Sequence, residues 1–175
     1  MPKSDRLMPG APFPAITLAT ADGAEIKLNA PGWRAIFVIR GAHCGICRNL
    51  LKQLETWRSG WQAKGIDVVV ASADPVSKSR PFMEETGFAG TAACGLDIPT
   101  MEMLGLWMTG PDTSGLDYVH PEPGFFLVDP ESKIAAIDIT TLPAIRPDLN
   151  QLNNGFTYII EKDIRPPFGK YEVMS

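Results

Sequence analysis

The sequence predicts an α/β protein built on a central mixed β-sheet flanked by helices, and three observations carry that expectation. Residues 35–39 (AIFVI) and 66–71 (IDVVVA) are β-branched and aromatic runs of strand length, as strands covered on both faces require. Between them Leu50, Leu51, Leu54, Trp57 and Trp61 recur at spacings of three and four, opposite Arg48, Lys52, Glu55 and Arg58, the pattern of an amphipathic helix. Two further strand-like runs, 125–128 and 134–139, flank the turn Asp129-Pro130-Glu131-Ser132 and precede a second amphipathic stretch. Alternating strands and helices give parallel neighbours, and the late hairpin adds antiparallel ones.

Taken in order, residues 1–14 are rich in proline and polar types and are expected to wrap the surface. Residues 15–20 and 25–28 alternate in strand fashion around the turn signal Ala21-Asp22-Gly23. The buried strand 35–39 leads into a helix over 47–64, which Gly65 stops. After strand 66–71, Asp74-Pro75 starts a helix that runs to Thr86 and ends at Gly87. A short apolar segment, 92–96, precedes a short helix over 99–106. From Trp107 to Pro123 the glycines, prolines and small polar residues predict a long loop. Leu149, Leu152, Phe156, Ile159 and Ile160 mark a last helix over 147–162. The expected organisation is one domain over 1–175, with an N-terminal extension and β-hairpin in 1–30 and a C-terminal helix and tail in 141–175.

Composition excludes several classes. With 45% hydrophobic and 21% charged residues the chain is neither disordered nor fibrous. Twenty acidic residues against 16 basic ones leave a net charge of −4 and no basic stripe, so no nucleic-acid partner is expected. Three cysteines are too few, and odd in number, for a secreted disulfide framework. The first eight residues hold no apolar leader region, and no run approaches 18 apolar residues. The expectation is a cytoplasmic protein without a membrane partner.

The sharpest feature is His43-Cys44-Gly45-Ile46-Cys47, at the junction of a buried strand and a long helix. Unsatisfied N–H groups and the positive end of the helix dipole favour a thiolate there. The thiolate is the nucleophile in disulfide exchange and in peroxide attack. A second cysteine within one turn can close a disulfide and release whatever the first has bonded. Arg40 and Arg48 flank the motif and could lower the thiol pKa further, as could His43 if protonated. Zinc needs about four ligands. Beyond the pair only Cys94, His43 and His120 are on hand, with no second CxxC, so neither a metal nor another cofactor is expected.

Four stretches carry a family resemblance: Pro9-Gly10-Ala11-Pro12-Phe13-Pro14 with Ala21-Asp22-Gly23; residues 38–48 around the CxxC; Pro123-Gly124-Phe125-Phe126-Leu127-Val128-Asp129 with Lys133-Ile134; and Arg146-Pro147-Asp148-Leu149 through Pro167-Phe168-Gly169. On these the chain resembles the thioredoxin-fold redoxins. Within them it is similar to the CxxC-bearing, peroxiredoxin-like branch of the alkyl hydroperoxide reductase / thiol-specific antioxidant (AhpC/TSA) superfamily. The resemblance implies a thioredoxin fold, an antioxidant thiol oxidoreductase, a redox-active Cys44–Cys47 disulfide and the possibility of a homodimer. Its substrate would be a small peroxide or a protein disulfide, and its reductant a partner such as thioredoxin or glutathione.

Two departures bear on the chemistry. Laid on the peroxiredoxin motif Pro-x-x-x-(Thr/Ser)-x-x-Cys, Cys47 takes the cysteine's place, Cys44 the threonine's and Arg40 the proline's. The arginine expected just before the strand at 124–128 is replaced by Pro123, where thioredoxin-like proteins carry a cis-proline beside the CxxC. These departures lean towards disulfide exchange, with Cys44 attacking and Cys47 resolving. In the peroxidase alternative Cys47 or Cys44 attacks the O–O bond, and a guanidinium from Arg40, Arg48 or Arg146 stabilises the departing oxygen. Arg40 and Arg48 are nearest along the chain. A different class of reading is a redox-regulated binding module whose CxxC switches conformation without turnover. Cys94, in an apolar context, is expected to be a core thiol, and Trp57 and Trp61 to be packing residues.

Overall fold

The computed structural model describes residues 7–165. Its element order is β1 (Thr17–Thr20), β2 (Glu25–Lys27), β3 (Trp33–Val38), α1 (Gly45–Ala63), β4 (Ile66–Ala71), α2 (Val76–Thr86), β5 (Thr91–Cys94), α3 (Ile98–Met103), β6 (Met108–Thr109), α4 (Pro111–Ser114), β7 (His120–Pro121), β8 (Gly124–Val128), β9 (Ile134–Ile139) and α5 (Leu149–Glu161). Seven strands form one sheet in the order β2-β1-β5-β4-β3-β8-β9. The β3–β4 and β4–β5 pairs are parallel, while β1–β2, β1–β5, β3–β8 and β8–β9 are antiparallel. The expected mixed sheet with flanking helices is therefore the observed one. The N-terminal hairpin joins it through β1 and β5.

The continuous apolar runs are explained by cover on both sheet faces. Ala35, Phe37 and Ile39 point to one face together with Val68, Val70, Phe125 and Leu127, under α1 and α5. Ile36 and Val38 point to the other with Val69, Phe126 and Val128, beneath Phe13, Ile16, Met101 and Leu104. Every residue of β3 is consequently buried. Strand side chains alternate between faces, so a strand buried twice takes apolar residues at nearly every position; the exception in β3, Arg34, is satisfied by the Lys27 and Leu28 carbonyls and by Asp67.

The segment 107–123 departs from the expected loop. It contains a two-stranded ribbon, β6 with β7, and the short helix α4. The pairing Thr109↔His120 folds the segment back to the loop that joins β3 to α1, where His120 meets His43. Cys94 is buried in β5, as expected of a core thiol. The expected C-terminal tail falls partly on residues 166–175, outside the described residues. Among the described residues no helix is long and apolar enough to cross a membrane.

Candidate active site

Strand β3 ends at Val38, and residues 39–43 turn the chain so that α1 starts at Gly45. Cys44 is the N-cap of α1: its extended backbone precedes the helix and its sulfur accepts the N–H of Cys47 at 3.3 Å. A cap residue normally offers an oxygen to these free donors. Here the acceptor is a sulfur, and the same contact that caps the helix stabilises a thiolate. Cys47 lies on the inner face of the first turn and is 0% exposed, against 5% for Cys44.

The guanidinium that reaches the pair comes from Arg146, in the loop between β9 and α5. Its Nη2 donates to Cys47 Sγ at 3.2 Å and to Cys44 Sγ at 3.9 Å. Its Nη1 donates to the carbonyls of Pro143 and Ile145, so the loop's own backbone aims the fork at the sulfurs. The two arginines favoured by chain proximity are engaged elsewhere. Arg40 Nε pairs with Glu122 at 3.2 Å, and Arg48 Nε pairs with Glu85 at 2.5 Å while its Nη2 holds the Ala42 carbonyl. Among the described residues neither makes a hydrogen bond to a sulfur.

The two thiols differ in acidity. The hydrogen bond from the Cys47 thiol lowers the Cys44 pKa to about 5, with help from the Cys47 and Ile46 N–H groups and the charge of Arg146, against the opposing effect of burial. Cys47 shifts upward, because it is the donor in that bond and is buried beside a negative neighbour. The two directions are opposite, so Cys44 is the sulfur that gives up its proton more readily.

His43 is exposed beside Cys44, and burial of its ring together with the nearby Arg40 charge shifts its pKa downward. That shift works against the protonated form, the one in which His43 would add positive charge beside Cys44. Its ring packs edge-on against His120, with centroids 4.7 Å apart. His120 is fully buried, and neither ring nitrogen finds a partner among the described residues. Pro123 is buried and immediately precedes Gly124, which pairs with Val38, so it flanks the strand end from which the cysteine loop departs.

Sequence reasoning missed three residues of this neighbourhood, Asp74, Tyr118 and Glu122. Asp74, 1% exposed, accepts the Ala42 N–H at 2.7 Å and the Tyr118 hydroxyl at 2.7 Å. Glu122 takes Thr109 Oγ1 as well as Arg40. The Asp-Pro pair at 74–75 signalled a helix start, and Pro75 is indeed the cap residue, but the aspartate side chain turns away to the cysteine loop. A groove of about 750 Å³, lined by Ile46, Leu50, Trp57, Ala144, Arg146 and Pro147 among others, runs beside the outer face of α1. No group of three or more metal-ligating side chains occurs among the described residues.

The sequence matches the profile of the AhpC/TSA family over residues 9–137, a stretch that contains both cysteines and the strands around them. The chain belongs to the AhpC/TSA family. Solved structures similar to this family member are peroxiredoxins. A cysteine-to-serine mutant of peroxiredoxin 6 of Arenicola marina superposes with a TM-score of 0.78 at 13% identity, over 93% of this chain and 79% of that one. A peroxiredoxin-like protein of Aquifex aeolicus gives 0.74 at 20% identity, over 88% of each chain. Reduced Prx3 of Vibrio vulnificus, in complex with hydrogen peroxide, gives 0.74 at 14% identity, over 86% of this chain and 99% of that one. At these identities the likeness is one of fold, and the fold is the thioredoxin fold of peroxiredoxins. No curated protein sequence matches the chain.

Proposed function

We propose that this AhpC/TSA protein is a thiol peroxidase that reduces a small hydroperoxide with the Cys44/Cys47 pair. One observation carries the reading: the Arg146 guanidinium lies against both sulfurs, 3.2 Å from Cys47 and 3.9 Å from Cys44. A fixed cation beside a thiolate stabilises the charge that moves onto the leaving oxygen when the O–O bond breaks. Burial of both sulfurs also favours a small substrate over a folded disulfide partner. The sequence leans towards disulfide exchange because Cys44 stands in place of the motif threonine and Pro123 in place of an arginine. In the proposed cycle Arg146, from another part of the chain, takes that arginine's part.

In the proposed cycle the Cys44 thiolate attacks the terminal peroxide oxygen. Cys44 is oxidised to a sulfenic acid, and the hydroxide or alkoxide released beside Arg146 takes up a proton. Cys47 then attacks Cys44 Sγ, expelling water and closing the Cys44–Cys47 disulfide. Two electrons from an external thiol reductant, either one thioredoxin-type dithiol or two molecules of glutathione, restore both thiols and leave the reductant as a disulfide. Ile46, between the two cysteines, and Ile145, next to Arg146, are exposed and offer an apolar landing for that reductant.

The test is hydrogen peroxide consumption driven by a dithiol, combined with mass spectrometry of the oxidised protein. Wild type is expected to turn over and to show a Cys44–Cys47 disulfide. Cys44→Ser is expected to abolish consumption, and Cys47→Ser to trap sulfenic acid on Cys44. The opposite pattern, with Cys47 essential for attack and Cys44 dispensable, would reverse the two roles. A pair that cycles between thiol and disulfide without consuming peroxide would point instead to a redox-regulated binding module.

A further inference from the structure

Asp74 is a buried carboxylate that the proposed cycle does not use, yet it contacts the loop on which the cycle depends. It sits at the turn between β4 and α2, where Ser72 Oγ accepts its N–H and its own carbonyl accepts the N–H of Gly95. The side chain faces away from this anchored backbone. Its Oδ2 accepts the Ala42 N–H at 2.7 Å, two residues before Cys44. Its Oδ1 accepts the Tyr118 hydroxyl at 2.7 Å, and that hydroxyl also lies 3.4 Å from His43 Nδ1. Lys78 rests over the Tyr118 ring at 4.3 Å, closing the far side.

The backbone of the cysteine loop is shaped to admit this carboxylate. Gly41 has φ +126°, and a Cβ built there would stand 2.6 and 2.9 Å from the two Asp74 oxygens. Only glycine combines that conformation with room for the acid. The loop hydrogen bond, the missing side chain at 41 and the clasp from Tyr118 converge on one carboxylate. None of them is needed to form α2, whose N-cap is Pro75.

We infer that Asp74 is a positioning residue for the nucleophile: by holding Ala42 against the β4–α2 turn, it fixes Cys44 at the N-cap of α1, where the Cys47 N–H and Arg146 meet its sulfur. Tyr118 steers the carboxylate and ties the 107–123 segment to the same point. The inference deepens the peroxidase reading but is tested without peroxide.

The measurement is thiolate absorbance near 240 nm against pH, with the rate of iodoacetamide alkylation at about pH 5, close to the Cys44 midpoint, on reduced full-length protein. Asp74→Ala releases Ala42 and is expected to raise the thiolate midpoint and slow alkylation at that pH several-fold. Asp74→Asn keeps an oxygen acceptor for Ala42 and is expected to restore most of the rate. Should Asp74→Ala fail to fold, Tyr118→Phe serves instead, since it frees the carboxylate from the hydroxyl that steers it, and a smaller upward shift is expected. A midpoint and alkylation rate unchanged in the folded variants, with only the melting temperature lowered, would overturn the inference and leave Asp74 a structural residue. Wild-type protein that forms the thiolate but consumes no peroxide would instead count against the peroxidase reading alone.

Discussion

In the proposed cycle the division of labour between the two sulfurs rests on single side chains. Arg146 touches both, so Arg146→Ala removes the one guanidinium hydrogen-bonded to them among the described residues. A charge-assisted hydrogen bond is worth about 1.5–3 kcal/mol, which converts to a loss of about ten- to a hundredfold in kcat/KM for peroxide. Arg146→Lys is expected to recover little, because a point charge cannot serve the Pro143 and Ile145 carbonyls and the sulfurs from one planar fork. Stopped-flow peroxide consumption checks both, and a fully active lysine variant would argue for simple charge. The acidity of Cys44 has its own consequence. With its pKa held near 5, chiefly by the Cys47 thiol, Cys44 has lost its proton well below neutrality. Alkylation by iodoacetamide is therefore expected to be flat between about pH 7 and about pH 8, where an ordinary thiol gains several-fold, and to fall on the acid side as Cys44 protonates. A rate that climbs across that interval would contradict the assignment. The cysteines themselves were legible in the sequence because their meaning lies in local spacing. The choice of arginine was not. Arg40 and Arg48 are chain neighbours, but their side chains leave for Glu122 and Glu85, and only the fold brings residue 146 back to residue 47.

Secondary elements were legible where short-range physics decides them. Strand β4 and strand β9 fall on the expected residues, 66–71 and 134–139, because each is an apolar run that follows a turn signal. The ribbon of β6 and β7 was not legible, since two-residue strands show no periodicity and pair across an intervening loop. Helix caps connect this scale to the site. Asp148 caps α5 by accepting the Gln151 N–H at 2.9 Å, and it lies two residues beyond Arg146. Asp97 caps α3 in the same way through Thr100, on the sheet face away from the cysteines. Asp148→Ala and Asp97→Ala are each expected to cost about 1 kcal/mol of stability. Only Asp148→Ala is expected to slow peroxide consumption as well, because fraying the first turn of α5 loosens the loop that aims Arg146. Denaturant melts paired with activity measurements separate the two variants, and equal activity in both would show that the loop holds Arg146 without the helix.

Across the whole molecule, the two sheet faces do different work. On one, Trp61 is fully buried and stacks on Phe37 at 6.3 Å and on Trp57 at 6.1 Å, meets Phe156 edge-on at 4.9 Å, and donates its indole N–H to Asn153. This single side chain joins α1, which carries the cysteines, to β3 and to α5, whose preceding loop carries Arg146. On the other face Phe126 is equally buried but packs on Phe13 of the N-terminal segment, at 5.7 Å. Truncating either to alanine is expected to cost about 3–5 kcal/mol, a large share of the roughly 5–15 kcal/mol that holds a domain together. In a chain of this length that lowers the melting temperature by roughly 10 °C. Stability alone therefore cannot distinguish the two variants, but the site can. Trp61→Ala lets α1 and α5 move relative to each other, which displaces the sulfurs from a guanidinium only 3.2 Å away. Its peroxide kcat/KM, measured well below both melting temperatures, is expected to fall further than that of Phe126→Ala, which leaves the α1–α5 contact intact. If the two variants lose rate equally, the alignment of Cys47 with Arg146 does not depend on this contact, and the loop carbonyls of Pro143 and Ile145 alone hold the guanidinium in place.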